Sequence, residues 1–315
     1  MRWRQATERA LYGPGGFFVS GNRPAEHFRT SSHASPLFAG ALARLLGRVD
    51  EALGHPDPVD VVDIGAGRGD LLLALAAAVP GPLAARLRLT AVELAPRPAD
   101  LPSTVGWSAT APAGVTGLLI ATEWLDNVPV DLAALDDAGT ARYVRTDDSL
   151  GAPVSDVDGA WLDRWWPLVA GGRAEIGLPR DQAWSAALST LDRGLALAVD
   201  YGHLAADRPL LGTLTGFRAG RQVAPVPDGS CDLTAHVAFD ALESASSTLL
   251  PQRDALHRLG VRGTRPPLRM ATTDPSAYVR ALAGAGAAAE LTEPAGLGGH
   301  FWLLQPVGLP VPFEP

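Results

Sequence analysis

The stretch Val59-Asp60-Val61-Val62-Asp63-Ile64-Gly65-Ala66-Gly67-Arg68-Gly69-Asp70 decides how this chain folds. Its first six residues are a short apolar run with three valines, the pattern of a strand buried on both faces of a parallel sheet. A glycine-rich turn follows, and residues 70–79 then read as a helix. Glycine lets a backbone turn sharply and lie close against a ligand, where a Cβ would intrude. The start of the helix also offers free N–H groups. In dinucleotide-binding loops those groups meet a pyrophosphate, and the glycines are spaced G-x-G-x-x-G. Here the third glycine, Gly69, comes one residue early, and Asp70 stands where that pattern needs glycine. Asp63 adds a carboxylate at the loop entrance, from which an anion site gains little. The spacing argues against a nicotinamide oxidoreductase.

Outward from this loop the pattern stays that of an α/β chain. Ser35 and Pro36 form a helix start, and Leu37, Ala41, Leu45 and Val49 recur at helical spacing over residues 37–53. Strands are predicted at 87–94, ending near Glu93, and at 104–107, 115–121 and 194–200. This strand–loop–helix–strand order is the βαβ unit of a doubly wound sheet, so the predicted fold is Rossmann-like with helices on both faces. Residues 130–135 and 142–145 read as a hairpin, 161–168 and 181–191 as helices. Residues 201–234 carry little periodicity, and a loop of that length in a compact domain is usually functional. Helices fit 235–245, 252–259 and 275–283, with closing antiparallel strands at 290–291 and 301–304. The domain reading is an irregular N-terminal arm and helix over 1–58 packing on the core. A Rossmann-like domain over 59–315 follows, with insertions at about 129–190 and 201–260.

Composition narrows the function. The 315 residues are 47% hydrophobic and 19% charged, with a formal net charge of −8. All 26 basic side chains are arginines and none clusters into a basic stripe, so a nucleic-acid partner is not expected. The acidic balance leans toward a neutral or cationic substrate, and the lack of lysine toward a GC-rich bacterial genome. Cys231 is the only cysteine, so neither an intramolecular disulfide nor a Cys-based zinc site is available, and no metal is expected. It reads as a small buried apolar residue, and Trp161, Trp165 and Trp166 as packing anchors. Residues 1–10 are polar and the longest apolar stretches, such as 71–80, are far too short to span a bilayer. The expected location is the cytoplasm, without membrane insertion, and a homodimer is left open.

Several segments, in order, resemble one methyltransferase family. These are Tyr12-Gly13 with Gly16-Phe17-Phe18, Thr30-Ser31-Ser32, Leu37-Phe38-Ala39-Gly40, the glycine loop and Ala121-Thr122-Glu123-Trp124-Leu125-Asp126-Asn127-Val128-Pro129-Val130. Val199-Asp200-Tyr201-Gly202-His203, Gly212-Thr213-Leu214, Asp232-Leu233-Thr234-Ala235-His236-Val237 and a late glycine turn at 296–299 complete the match. The chain resembles the MidA-type class I methyltransferases, relatives of the mitochondrial complex I assembly factor that methylates an arginine of a partner subunit. It departs from the family pattern at His33, Thr122, Asn127 and Gly220.

The resemblance implies S-adenosylmethionine as cofactor, packed against Asp63, Gly65, Ala66, Gly67 and Gly69 near Glu123, with Glu93 accepting hydrogen bonds from the ribose hydroxyls. It implies methyl transfer to a protein side chain, arginine by analogy. A small-molecule acceptor or an assembly factor with little turnover are the alternatives. A guanidinium acceptor stays protonated, so a carboxylate must orient it and take a proton. Glu123, then Asp126, are the catalytic candidates, at the carboxyl edge of the sheet. Asp200, Tyr201 and His203 leave a neighbouring strand end and are expected to line the substrate pocket. His236 is expected at a helix start, packing or capping.

Overall fold

The computed structural model describes residues 1–19 and 36–312, so the expected cap Ser35 and the motif residues Thr30 to His33 lie outside the described part. The strands, in chain order, are β1 (Val59–Ile64), β2 (Leu87–Val92), β3 (Val105–Ser108), β4 (Val115–Thr122), β5 (Asp131–Leu135), β6 (Ala141–Val144), β7 (Leu150–Pro153) and β8 (Ala174–Ile176). They continue with β9 (Leu191–Asp200), β10 (Gly202–His203), β11 (Thr215–Arg218), β12 (Arg221–Val223), β13 (Asp232–Thr234), β14 (Val237–Ala238), β15 (Thr248–Pro251) and β16 (Phe301–Val307). Seven of them build the main sheet in the order β15-β16-β9-β4-β1-β2-β3. From β9 through β3 the pairings are parallel. β16 runs antiparallel to both its neighbours, β9 and β15.

Helices cover both faces of this sheet, as the βαβ pattern requires. Phe38, Leu42, Leu45, Leu46 and Val49 form the apolar stripe of the helix Pro36–Leu53. They pack with Leu72 and Leu75 of the helix Asp70–Ala78 against Val59, Val61, Leu118 and Ile120. The opposite residues of the same strands, Val62, Ile64, Leu119 and Ala121, meet Trp184, Phe239 and Leu242 on the other face. Period-two alternation thus fills two cores from one set of strands.

Close approach at the sheet centre depends on two glycines. In register, Asp60 lies beside Gly117, and Gly117 beside Gly194. A Cβ on Gly117 would fall 2.1 Å from the Asp60 carbonyl oxygen, and one on Gly194 would fall 2.0 Å from that of Gly117. Both have positive φ, 150° and 146°. Beside them the Asp60 carboxylate pairs with Arg88 and accepts the Thr116 N–H at 2.9 Å.

The insertions are more ordered than their sequence suggests. The expected hairpin is present as β5 and β6, extended to a four-stranded sheet ordered β7-β6-β5-β8. Residues 201–234 are not a bare loop but contain β10 and the whole of a three-stranded sheet, β12-β11-β13. The N-terminal arm begins with a helix, Trp3–Tyr12, that lies on both insertions. Trp3 packs with Leu132 and Val144, while Leu11 and Phe17 pack with Cys231 and Leu233.

Three expectations are corrected. The helix predicted over 235–245 shrinks to Phe239–Leu242, because Val237 and Ala238 pair with Gly202 and His203 instead. Glu290 and Leu291 are not a strand but the last turn of the alanine-rich helix Pro275–Leu291, held by a fully buried Leu291. The outer antiparallel neighbour of β16 is β15, a four-residue run that the pattern did not reveal. Smaller shifts place helices at Asp156–Trp165 and Leu178–Leu188. Among the described residues no helix is long and apolar enough to cross a membrane.

The glycine contacts give a direct test. Gly194→Ala is expected to cost more than about 4 kcal/mol, in the range of severe core lesions, when unfolding is followed by denaturant titration. Gly81→Ala, whose Cβ meets nothing within 4 Å, is the matched control and should unfold close to the parent.

Candidate active site

Between β1 and β4 the strand order reverses: β2 and β3 follow to one side of β1, and β9 follows to the other side of β4. A crevice opens there at the carboxyl ends of parallel strands, where ligands bind in open α/β sheets. The expected site residues of β1, β2, β4 and β9 all sit on this edge.

On the β1 side, Gly65, Gly67 and Gly69 all take left-handed φ, at 73°, 55° and 83°. The loop is anchored where the N–H groups of Gly65 and Ala66 meet the Val92 carbonyl at 2.9 and 3.3 Å. A Cβ on Gly65 would lie 2.8 Å from Trp124 Cδ1, so the loop presses against the turn after β4. A Cβ on Gly67 would meet nothing within 4 Å; this part of the loop is a bare backbone surface. Glu93 is oriented by three backbone donors. Gly67 N donates to Oε2 at 3.0 Å, and Leu94 N and Ala95 N donate to Oε1 at 2.7 and 3.0 Å. A carboxylate has about four acceptor positions, so Oε2 keeps one for a hydroxyl. Acceptor-only chemistry beside bare backbone fits a nucleoside with its ribose diol at Glu93.

Asp63 is not an open carboxylate at the loop entrance. It is buried at the end of β1, and burial followed by the nearby Glu93 charge pushes its pKa up to about 8. Its carboxyl therefore favours the neutral form at pH 7.

On the β4 side, Glu123 is one of the few non-glycine residues with positive φ, at 51°. Backbone strain of this kind persists only where surrounding contacts impose it. Here Glu123 N donates to the Val199 carbonyl at 2.7 Å, and Tyr201 Oη donates to Glu123 Oε2 at 3.4 Å. Glu123 and Tyr201 are thus brought together.

Asp126 and Asp200 stand behind them, both almost wholly buried. Asp200 accepts the N–H groups of Asp126 and Tyr201 at 3.1 and 2.9 Å, latching one wall to the other. Asp126 accepts the Thr234 hydroxyl at 2.5 Å. Burial raises both carboxyls, and for Asp200 the neighbouring Asp126 and Glu123 charges add to it. Asp126, expected as an open loop acid, lies in a 3-10 turn facing inward.

His203 lies further back. It is buried edge-on against Trp166, with Arg208 Nη1 2.5 Å from Nδ1, and burial and then the Arg208 charge push its pKa down to about 3. It is neutral and set in a knot with Arg208 and Asp240.

Near Tyr201 and Asp126 lie His236, read from the sequence as a packing or capping residue, and two residues that reading did not single out, His300 and Arg180. His236 does not start a helix but lies between β13 and β14, its ring stacked on Tyr201 at 5.9 Å. His300 meets Tyr201 edge-on at 4.1 Å, and its pKa is pushed down to about 3 by burial and then by His236. Arg180 is a buried guanidinium behind the turn after β4. The motif containing His236 was visible in the sequence, whereas nothing local marked His300 or Arg180.

Residues 41–252 match the family described as "Putative S-adenosyl-L-methionine-dependent methyltransferase". The match covers more than half of the chain, and the protein belongs to this family. Its fold is similar to that of a COG1565 superfamily protein from Burkholderia thailandensis bound to S-adenosyl-homocysteine. The two are 25% identical with a TM-score of 0.77, over 100% of this chain and 90% of the other. A native crystal structure from the same organism and superfamily gives the same identity and TM-score over 99% and 89%. No curated protein sequence matches the chain. The protein is a class I-type methyltransferase with S-adenosylmethionine as its cofactor.

The Asp63 geometry makes a pH prediction. A carboxyl raised in the folded state favours folding fully below its unfolded pKa, and that contribution is lost as pH rises through the folded value. The parent should therefore lose stability relative to Asp63→Asn between about pH 4 and pH 8. Thermal unfolding of both across this range should show the gap widening with pH and then levelling.

Proposed function

We propose that this methyltransferase acts on the nitrogen of a cationic acceptor, a guanidinium by family resemblance, carried by a protein arginine side chain or by a free small molecule. The observation that carries this reading is Glu123, whose strained backbone sets its carboxylate against the Tyr201 hydroxyl beside the glycine loop. The bound cofactor supplies an electrophilic methyl group on a sulfonium. The loop from Gly65 to Gly69, with Ala66 and the neutral Asp63 at its base, provides the surface along which the methionine and ribose part lies, and Glu93 accepts from the ribose.

Alignment of nucleophile and methyl provides much of the rate in such a displacement. Glu123 offers a guanidinium a charge-assisted, directional partner. As the N–C bond forms, a proton must leave the nitrogen, and Glu123 takes it. Tyr201, packed against His236 and His300, donates to the carboxylate and holds it in place. Asp126 and Asp200 shape the walls from behind.

Gly67→Val, which forces a β-branched residue into left-handed φ and fills the bare surface, should abolish S-adenosylhomocysteine binding by calorimetry while the protein still unfolds cooperatively. Retained affinity would count heavily against the cofactor placement. Labelled S-adenosylmethionine incubated with cell extract separates the acceptor sources: label in a protein band indicates a side chain, label only in the solvent extract a small molecule. Glu123→Gln should reduce that transfer by about a hundredfold or more, as loss of a general base does, with cofactor binding preserved. An unchanged rate sinks the role given to Glu123.

A further inference from the structure

Arg180 is 3% exposed, in the first turn of the helix Leu178–Leu188. Its guanidinium donates to three backbone carbonyls: Asp126 O from Nη2 at 2.7 Å, Val128 O from Nε at 3.3 Å and His236 O from Nη1 at 2.8 Å. Asp126 and Val128 belong to the turn that follows Glu123. His236 belongs to the other wall, stacked on Tyr201. One planar fork therefore spans both sides of the acceptor site, and it holds main chain rather than side chains.

Its charge is equally placed. Glu175, Asp126, Asp200 and Asp181 face it, while His203, His236 and Tyr12 also feel its field. Glu175 makes a second route to the same wall. It accepts the N–H groups of Thr213 and Leu214 and the Thr213 hydroxyl, and Thr213 Oγ1 accepts the His236 N–H at 2.8 Å. Asp181 accepts Trp161 Nε1 at 2.6 Å. Stability alone is a poor reason to retain so much buried charge, since apolar replacements of buried ionic groups are often neutral or stabilising.

We propose that Arg180 is a positioning residue that ties the two walls of the acceptor site together through their main-chain carbonyls. It touches neither cofactor nor acceptor and acts through Glu123 and Tyr201, so it rests on the acceptor site proposed above. Lysine cannot substitute, because a single ammonium lacks the fork that reaches three separated carbonyls.

The test uses the full chain, S-adenosylhomocysteine as binding probe and label transfer from S-adenosylmethionine to the acceptor pool of a cell extract. Arg180→Ala should bind S-adenosylhomocysteine within about twofold of the parent yet transfer label about a hundredfold more slowly, the scale of a small misplacement of reacting groups. The acid limb of its pH profile should move upward, as expected when an opposite charge is removed from nearby carboxylates. Added guanidinium ion should restore part of the rate. A parental rate overturns the proposal, and so does a loss with an unmoved pH limb and no rescue, which marks a purely structural role. Should the alanine variant fail to fold, Arg180→Lys decides: it keeps the charge and should keep the limb but lose rate, and a parental kcat and KM would overturn the proposal. Failure of the acceptor reading shows separately, as a parental rate in Glu123→Gln.

Discussion

Charge taken out of water at the carboxyl edge of the sheet is the constraint around which this protein is organised. Asp63, Asp126, Asp200 and Asp232 are all buried there. An ion withdrawn from water costs several kcal/mol even after a protein relaxes around it, so each acid needs a solution. Asp63 is neutralised by its raised pKa. Asp200 receives two backbone N–H groups and Asp232 the side-chain amide of Asn127 at 2.9 Å. Asp126 takes a hydroxyl and lies near the buried Arg180 guanidinium. The bonds to Asp200 fix main chain and those to Asp126 and Asp232 fix side chains, and together they hold the crevice walls.

The fold brings those walls to the same edge by simple means. Parallel strands end on one side, and the reversal of order between β1 and β4 leaves a gap there. The glycine loop closes one flank of that gap against Trp124, and Glu123 stands on the other. Beyond them the insertions and the N-terminal helix complete the acceptor side. Tyr12 donates to the Asn127 carbonyl at 3.3 Å, and its ring stacks on Phe18 at 5.5 Å. The glycine-loop side is thus built from the main sheet, and the proposed acceptor side from the insertions and the N-terminal helix.

That division also explains what could be read from the sequence. The glycine loop was legible because its requirement is local: left-handed backbone at three positions excludes most other residues. Glu93 and Glu123 followed from it, since each sits at the end of an apolar strand. The ranges of β1, β2 and β4 were legible for the same reason. The helix predicted over 235–245 was misplaced because Ala235, Val237, Ala238 and Phe239 satisfy a helical and a strand pattern alike, and pairing with β10 decided between them. β15 was too short to carry a pattern. Arg180 was invisible because its partners are carbonyls 52 to 56 positions away, which no side-chain motif encodes. Asp126 looked like a loop acid because loop position is apparent in sequence and inward orientation is not.

The helix Trp3–Tyr12 bears on how the molecule comes into being. The bonds that set the glycine loop and Glu93 join residues between Gly65 and Trp124, which meet soon after they are synthesised. The acceptor flank joins the first dozen residues to Leu132, Val144, Cys231 and Leu233. Closing such distant contacts carries a large entropic cost and slows folding. A growing chain can therefore shape its nucleoside crevice early, while the opposite bank waits until most of the polypeptide has been made.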